Sequence, residues 1–533
     1  MTVSRYPSQR KNPWLLQVCL AATKDTMSVV LPEQVDQDRR MSDKSLFVTN
    51  LQNVISRYGQ VSWIAKVCNP HPAVLPVQFL KNVELFHEAL ALALDNIVER
   101  WWKDEDANFP SRMPIEPRAE ALLRVSDDTP AQSSGNTNID GDFKWVDNNT
   151  DQGIIPPYKG RHGNMRPDIL IPAGDEDEIP RFKICEINGR FPNNYLHFAG
   201  CAFEAQAGMA WHRPLLQPAT THDAVYDSIF RLFNPSSPIH FVVDSLDLAR
   251  ENALFGYIEH RTGFWPRFVN PSSLRVLPCD SSPTGFELYC VWGTDPKVTD
   301  SPKSLVEMNG EVLEPVCQVG MQLIDFELLS LAPDLVRHIA MRCVNDLRTV
   351  FLSFDKRMLG IVRQELGPLV DKHHVLTPKQ AEILREGIMP TILPGSPELK
   401  LCLEIALANP GAKDAFILKP YRLARGQGVV LGKDVSALEW CSLLESMQVV
   451  DFDCPKSQYL LQPLLPQRIV DLFWDEERGV RSSRMVGSYF AVNGQFVGLG
   501  GWKAGLASED VITASTKEVT TLSSVIFLGD SKN

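Results

Sequence analysis

The stretch KICEINGRFPNNYLHFAG, residues 183–200, opens as an apolar strand and ends in a polar, glycine-punctuated loop. Glu186 and Asn188 stand two positions apart in it, and the two-residue period of a strand aims both at one face. A carboxylate and an amide oxygen side by side suit a hard divalent cation. Taken alone, the pair reads more often as the polar end of a strand than as a metal clamp. The rest of the chain decides between the two.

At 533 residues the chain exceeds one ordinary core and reads as about two to four domains or layers. Its 44% hydrophobic and 22% charged residues are those of a soluble globular protein. A formal charge of -12 argues against nucleic acid or an anionic membrane as the main partner. The 11 cysteines are scattered without a C-x-x-C pair, and Cys185, Cys290, Cys343 and Cys402 lie in apolar stretches, as reduced cysteines of an intracellular core do. No apolar run reaches the roughly 18–20 residues that cross a bilayer. The opening MTVSRYPSQRKNPWLLQVCLAATKD has basic residues before a short apolar patch but no convincing signal-peptide core or cleavage site. The expected location is cytoplasmic.

Periodicity predicts an amphipathic helix over 76–102 and a short one near 116–127, then a Ser/Asn/Asp/Gly-rich loop over 127–153. Strands follow in RPDILIPA and RFKICEIN, joined by the acidic turn GDEDEIP. From 238 the order strand, helix, strand marks a β-α-β unit. Residues 328–366 read as largely helical, and the last 120 or so as strand-rich, with AVNGQFVG a hairpin on an Asn-Gly turn. The class is α/β (α+β) with short mixed sheets. We divide it into a helical N-terminal region (1–126), the loop (127–153), and segments 154–235, 236–335 and 336–533.

A second stretch carries chemistry. In FILKPYRLARGQGVVLG, residues 416–432, an apolar strand delivers Lys419, and a loop with Gly426, Gln427 and Gly428 leads into another strand. A lysine at a buried strand end calls for an anion, and a glycine loop lets backbone N–H groups approach phosphate oxygens. Singly, this also reads as an ordinary hairpin. YLLQPLLPQ, 459–467, ends a strand at Gln462 and Pro463, a hinge whose backbone can read an adenine edge. Arg484 enters the next strand and Lys503 follows the glycine-rich GLGG. Two such cations suit a phosphate and the charge that develops in its transfer, although each alone is most often a surface charge.

Together these parts resemble the ATP-grasp enzymes. Glu-x-Asn precedes the lysine strand here, the order of a circularly permuted ATP-grasp, and the chain is most similar to the glutathionylspermidine synthase type. That family carries an Arg-x-Asp upstream of its Glu-x-Asn, matched by Arg166 and Asp168 in MRPDIL. Its lysine strand resembles FILKP and its C-terminal part resembles GQFVGLGGWKAG followed by DVIT. The resemblance covers 160–200 and 340–515 in scattered motifs. The chain departs from it in a longer gap between Asp168 and Glu186, a longer loop after Lys419, Lys503 where the family has arginine, and a C-terminus without the aromatic and histidine ending. No N-terminal cysteine-histidine amidase is recognisable.

The resemblance implies ATP-grasp mixed sheets, with 154–235 and 336–533 as the metal and nucleotide parts and 236–335 as a pre-ATP-grasp-like domain. It implies ATP and Mg2+, with Asp168, Glu186 and Asn188 as metal ligands. Lys356, Lys419, the Gly426–Gln427–Gly428 loop and Gln462 would hold the nucleotide, and Arg166, Arg484 and Lys503 would serve phosphoryl transfer. Lys356, in FLSFDKRMLG, reads equally as a helix-surface charge. The expected activity joins a small-molecule carboxylate to an amine through an acyl phosphate. The carboxylate is taken as an amino acid or small natural-product acid. The alternatives are a phosphotransferase or nucleotide-binding regulator on the same fold, or a scaffold with a decayed site. His71 and His212 read as structural or functional with equal ease.

Overall fold

The computed structural model describes residues 16–17, 19–22, 27–30, 37–58, 67–123, 157–174, 179–192, 196–209, 216–244, 253–282, 284–293, 298, 304–513, 516 and 518–527. The loop expected over 127–153 and His212 lie outside them. In chain order, helix α1 (Val77–Arg100) is followed by strands β1 (Asn164–Leu170) and β2 (Lys183–Asn188). Then come β3 (His240–Val242), helix α2 (Ala253–Thr262) and β4 (Arg267–Val269). Strands β5 (Phe286–Val291), β6 (Glu311–Pro315) and β7 (Val319–Met321) complete the middle of the chain. After a helical stretch, β8 (Phe416–Pro420), β9 (Val430–Leu431) and β10 (Tyr459–Pro463) precede the long pair β11 (Gly479–Val492) and β12 (Gln495–Leu506).

The fold is mixed α/β with several sheets, and one of them organises the rest. Its six strands run Thr520–Leu522, β12, β11, β1, β2, with Val470–Asp475 also paired to β11. β11 and β12 are joined by Asn493 and Gly494, both at positive φ (48° and 77°), the backbone that a two-residue hairpin matching strand twist requires. β11 then pairs antiparallel with β1, setting Ser488 opposite Asp168.

One face of this sheet is apolar and packs on α1. The helix begins after Pro76, whose fixed φ presets the entry. Phe79, Val83, Phe86, Leu90, Leu94 and Ile97 recur every three or four residues and are all fully buried. They meet Met165, Ile169, Tyr489 and Trp502 in a common core. The opposite face carries the polar members of the same strands.

Elsewhere β3, α2 and β4 form the expected β-α-β unit, with β7 and β4 parallel on either side of β3. β5 and β6 belong to a four-stranded antiparallel sheet. β8 lies between β9 and β10 in a further three-stranded sheet, covered by helices Pro397–Ala408 and Ala437–Ser446.

The stretch 328–366 is more broken than its composition suggests. Helix Pro333–Arg342 stops at Cys343, and helical winding resumes in a five-residue π turn, Thr349–Ser353, before the helix Met358–Asp371. The Asn345 amide accounts for the break: it accepts from Asn164 N and donates to Gly189 O, tying the chain across to the β1 and β2 ends instead of continuing the helix.

Candidate functional site

The site face begins with a register shift. Asp168 pairs with Glu186, but the next pair is Ile169 with Ile184, so Cys185 bulges between them. A bulge reverses the alternation on one side of itself. Ile184 and Ile187 are therefore buried, while Glu186 and Asn188 emerge beside Arg166 and Asp168. The Arg166 guanidinium lies 3.5 Å from Asp168 Oδ1, and Asn188 Nδ2 donates to the Arg166 carbonyl at 3.1 Å.

Three lysines reach the same carboxylates from other elements. Lys356, at the start of the helix Met358–Asp371, is buried; its Nζ lies 3.6 Å from Glu186 Oε2 and donates to Leu423 O at 2.6 Å. Lys419 arrives on β8. The sheet of β8 is anchored to β2 where Gln462 Nε2 donates to Thr391 Oγ1 and to Cys185 O, with Met389, Cys185, Leu170 and Val486 packed around the joint. Lys503 stands on β12 opposite Val486 of β11, on the side of the sheet that holds Asp168.

The electrostatics follow from this crowding. Burial pushes the Asp168 carboxyl up to about 6 over the pull of Arg166, and Glu186 adds to the rise. Burial works on Glu186 too, but Lys356 and Lys419, with a hydrogen bond from Asp168, outweigh it and hold Glu186 down to about 2. Of the two, Asp168 is the one that takes up a proton as pH falls through about 6, and near neutral pH both carry charge. Burial and Arg166 depress Lys503, against the attraction of Asp168 and Glu186. Four cations, Arg166, Lys356, Lys419 and Lys503, act on two carboxylates. The excess of positive charge suits a polyanion.

The glycine loop lies between β8 and β9, with Gly426 and Gly428 at positive φ (74° and 70°). A Cβ on Gly426 would stand 2.6 Å from Thr513 Cγ2, and one on Gly428 2.9 Å from Pro420 Cγ, so neither position accepts a side chain without movement. Gln427 is exposed in the same loop.

Two expected residues are placed otherwise. Arg484 gives its guanidinium to Asp510 Oδ1 at 2.7 Å and to Glu509 O at 2.9 Å. It sits four residues along β11 from Ser488, the partner of Asp168, a separation of about 13 Å in an extended strand. Gln462 is fully buried. Its side chain is spent on Thr391 and Cys185, and because Leu461 exchanges backbone hydrogen bonds with Ile392, alternation turns the Gln462 backbone toward Ile417 of β8. It offers no free edge to an adenine.

Beyond Lys356 lies a charged network that the motifs did not single out. Asp325 pairs with Arg190 and lies 3.8 Å from Arg422 Nη1. Arg422 also bonds Glu116 at 3.0 Å and the Phe351 carbonyl at 3.1 Å, and Asp355 binds Arg357 at 2.8 Å. Burial opposes ionisation of Asp325, yet Arg422, Arg190 and Lys356 hold its carboxyl below the usual range. The signal was present, since Arg190 and Arg422 both stand within the two quoted stretches.

Comparison with known proteins places the chain. A family profile described as the AnkG N-terminal domain matches residues 86–352, a span that includes Arg166, Asp168, Glu186 and Asn188. The ATP-grasp enzyme ankG of Aspergillus thermomutatus is 35% identical over 493 residues, covering 92% of this chain and 96% of that protein. Among solved structures, a glutathione synthetase-like effector from Globodera pallida in its apo form aligns with 93% of this chain and 99% of its own, at 12% identity and a TM-score of 0.47. Among the described residues no helix is long and apolar enough to cross a membrane.

Proposed function

The chain belongs to the AnkG family of ATP-grasp enzymes, and from that premise we propose that it is a carboxylate–amine ligase. It uses ATP to convert a small-molecule carboxylate to an acyl phosphate, releases ADP, and passes the acyl group to an amine with release of phosphate. The observation that supports this most is the convergence of Arg166, Lys356, Lys419 and Lys503 on the Asp168–Glu186 pair.

The donor set fits magnesium. Two adjoining carboxylates and a neighbouring amide are hard oxygen donors, and a cation would relieve the repulsion between the two carboxylates. Asp168, Glu186 and Asn188 would hold Mg2+, which supplies charge neutralisation to the triphosphate. Lys356 and Lys419, which answer Glu186 without ligand, would meet phosphate oxygens instead. Gly426, Gln427 and Gly428 would close over the phosphates and keep water from the acyl phosphate. Arg166 and Lys503 stand where charge develops during transfer. Arg484, bound to Asp510, holds the 509–510 segment in place.

The test is product analysis with Mg-ATP and pooled amino acids, polyamines and small acids, run on wild type and Glu186→Ala together. ADP and phosphate released only with substrate, and lost in the variant, are expected. AMP and pyrophosphate would replace the acyl phosphate with an adenylate. Tight nucleotide binding without turnover in every pool would leave a regulator in place of the ligase.

A further inference from the structure

Away from the site face, the β-α-β unit meets the antiparallel sheet of β5 and β6 around a buried polar group. His240 on β3 is the direct partner of Arg267 on β4. Cys290 on β5 is the direct partner of Glu314 on β6. Opposed residues in a sheet project from the same face, so each pairing sets two side chains side by side, and the packing of the two sheets joins the pairs through Glu314, which Arg267 and His240 both approach. His240, Cys290 and Glu314 are 1%, 2% and 3% exposed, in a wall otherwise built from apolar residues such as Leu274, Leu288 and Val316.

The histidine is the anomaly. Neither of its ring nitrogens has a hydrogen-bond partner, and Nε2 lies 3.5 Å from Glu314 Oε2, beyond a good hydrogen bond. A buried imidazole left so is costly unless something else takes its lone pair. The ligand atoms of His240, Cys290 and Glu314 all lie within 4.8 Å of one another. Arg267 does not fill the gap: its Nε donates to both Glu314 oxygens at 3.3 and 3.2 Å from one side, while its guanidinium stacks over Trp292 at 5.3 Å.

We propose that His240, Cys290 and Glu314 bind one zinc ion that clamps the β-α-β unit to the β5–β6 sheet. One nitrogen, one sulfur and one oxygen form the borderline-soft set that zinc takes and magnesium does not. With zinc–ligand bonds of about 2.0 to 2.3 Å, tetrahedral donors stand about 3.5 Å apart, the spacing that His240 Nε2 and Glu314 Oε2 already have. Arg267 is then the outer partner that orients the ligating carboxylate, and a solvent molecule completes the tetrahedron. This site is separate from the oxygen-only Asp168, Glu186 and Asn188, and it stands whatever reaction the enzyme performs.

The experiment uses the full chain purified without chelators. We expect about one equivalent of zinc by elemental analysis, falling below about 0.1 in Cys290→Ser and persisting in Glu186→Ala. X-ray absorption at the zinc edge of the wild type should show a single sulfur in the first shell, and cobalt exchange should give a thiolate charge-transfer band. The wild-type spectra decide even if Cys290→Ser does not fold. Zinc-free folded wild type that gives no thiolate band with cobalt would overturn the proposal, as would bound zinc with no sulfur ligand.

Discussion

The Lys356 ammonium stands 3.6 Å from the Glu186 carboxylate while donating to the Leu423 carbonyl, so one side chain joins the metal-ligand candidate to the loop that follows β8. The two residues are 170 positions apart in the chain. In the structure Lys356 answers Glu186; under the proposed function it would exchange that carboxylate for phosphate while keeping its bond to the loop.

Lys356→Met should therefore lower substrate-dependent ADP release by about 100-fold or more, the scale of a lost electrostatic contact in a transition state. The thermal midpoint should move by only a few degrees. Steady-state kinetics beside a melting curve checks this; near-normal turnover would return Lys356 to a structural role.

Asp168 and Glu186 are like charges held directly opposite each other, and under the proposed function a cation would sit between them. Asp168→Asn removes one of them but keeps a group able to hydrogen-bond. Without Mg2+ the variant should be at least as stable as wild type, while turnover falls by about 1000-fold and Mg2+ no longer raises the melting temperature. Differential scanning calorimetry with and without the cation measures both; a variant clearly less stable than wild type without metal would contradict the assignment.

Lys503 and Arg484 separate on geometry, and their glutamine variants should separate in assay. Lys503→Gln is expected to lose about 100-fold in kcat with the fold intact. Arg484→Gln is expected to lose less than about tenfold and to melt lower, because Asp510 gives up its guanidinium partner. The reverse ranking would restore Arg484 to the transfer step.

His87 predicts acid sensitivity. It is buried against Tyr489, with Nδ1 3.2 Å from the hydroxyl, and burial with His162 nearby lowers it from 6.5 to about 3. The native state therefore resists a proton that the unfolded chain accepts. The stability this group contributes is complete above pH 6.5 and is lost as pH falls toward 3. Between pH 7 and pH 5 wild type should lose about 2 kcal/mol more than His87→Gln. Urea midpoints at the two pH values test it, and equal losses would mean that His87 does not carry the effect.

Much of the site was legible because its parts are local. RPDIL and KICEIN are short, alternating strands, and Asn-Gly between apolar runs marks the β11–β12 turn. The β-α-β unit over 240–269 follows from its strand and helix pattern. What the local sequence did not show was the partner each side chain takes. Arg484 looks like a cation aimed at phosphate until Asp510, 26 positions on, is seen to hold it. Gln462 looks like an open hinge until the core takes its amide. Cys290 reads as one more core thiol, because nothing near it in sequence announces His240 or Glu314.

The sequence by itself determined which strands form, which faces of α1 and β11 are apolar, and which residue types could bind a cation and a polyphosphate. Only the tertiary structure decided that Cys185 bulges so that Glu186 turns outward, that Lys356 and Lys419 close on it, and that Arg484 does not. Alternation and capping act over a few residues and are written in the residues themselves. Register between strands some 300 residues apart is set by core packing on the far side of the sheet, and a one-residue slip would send every one of these side chains to the other face.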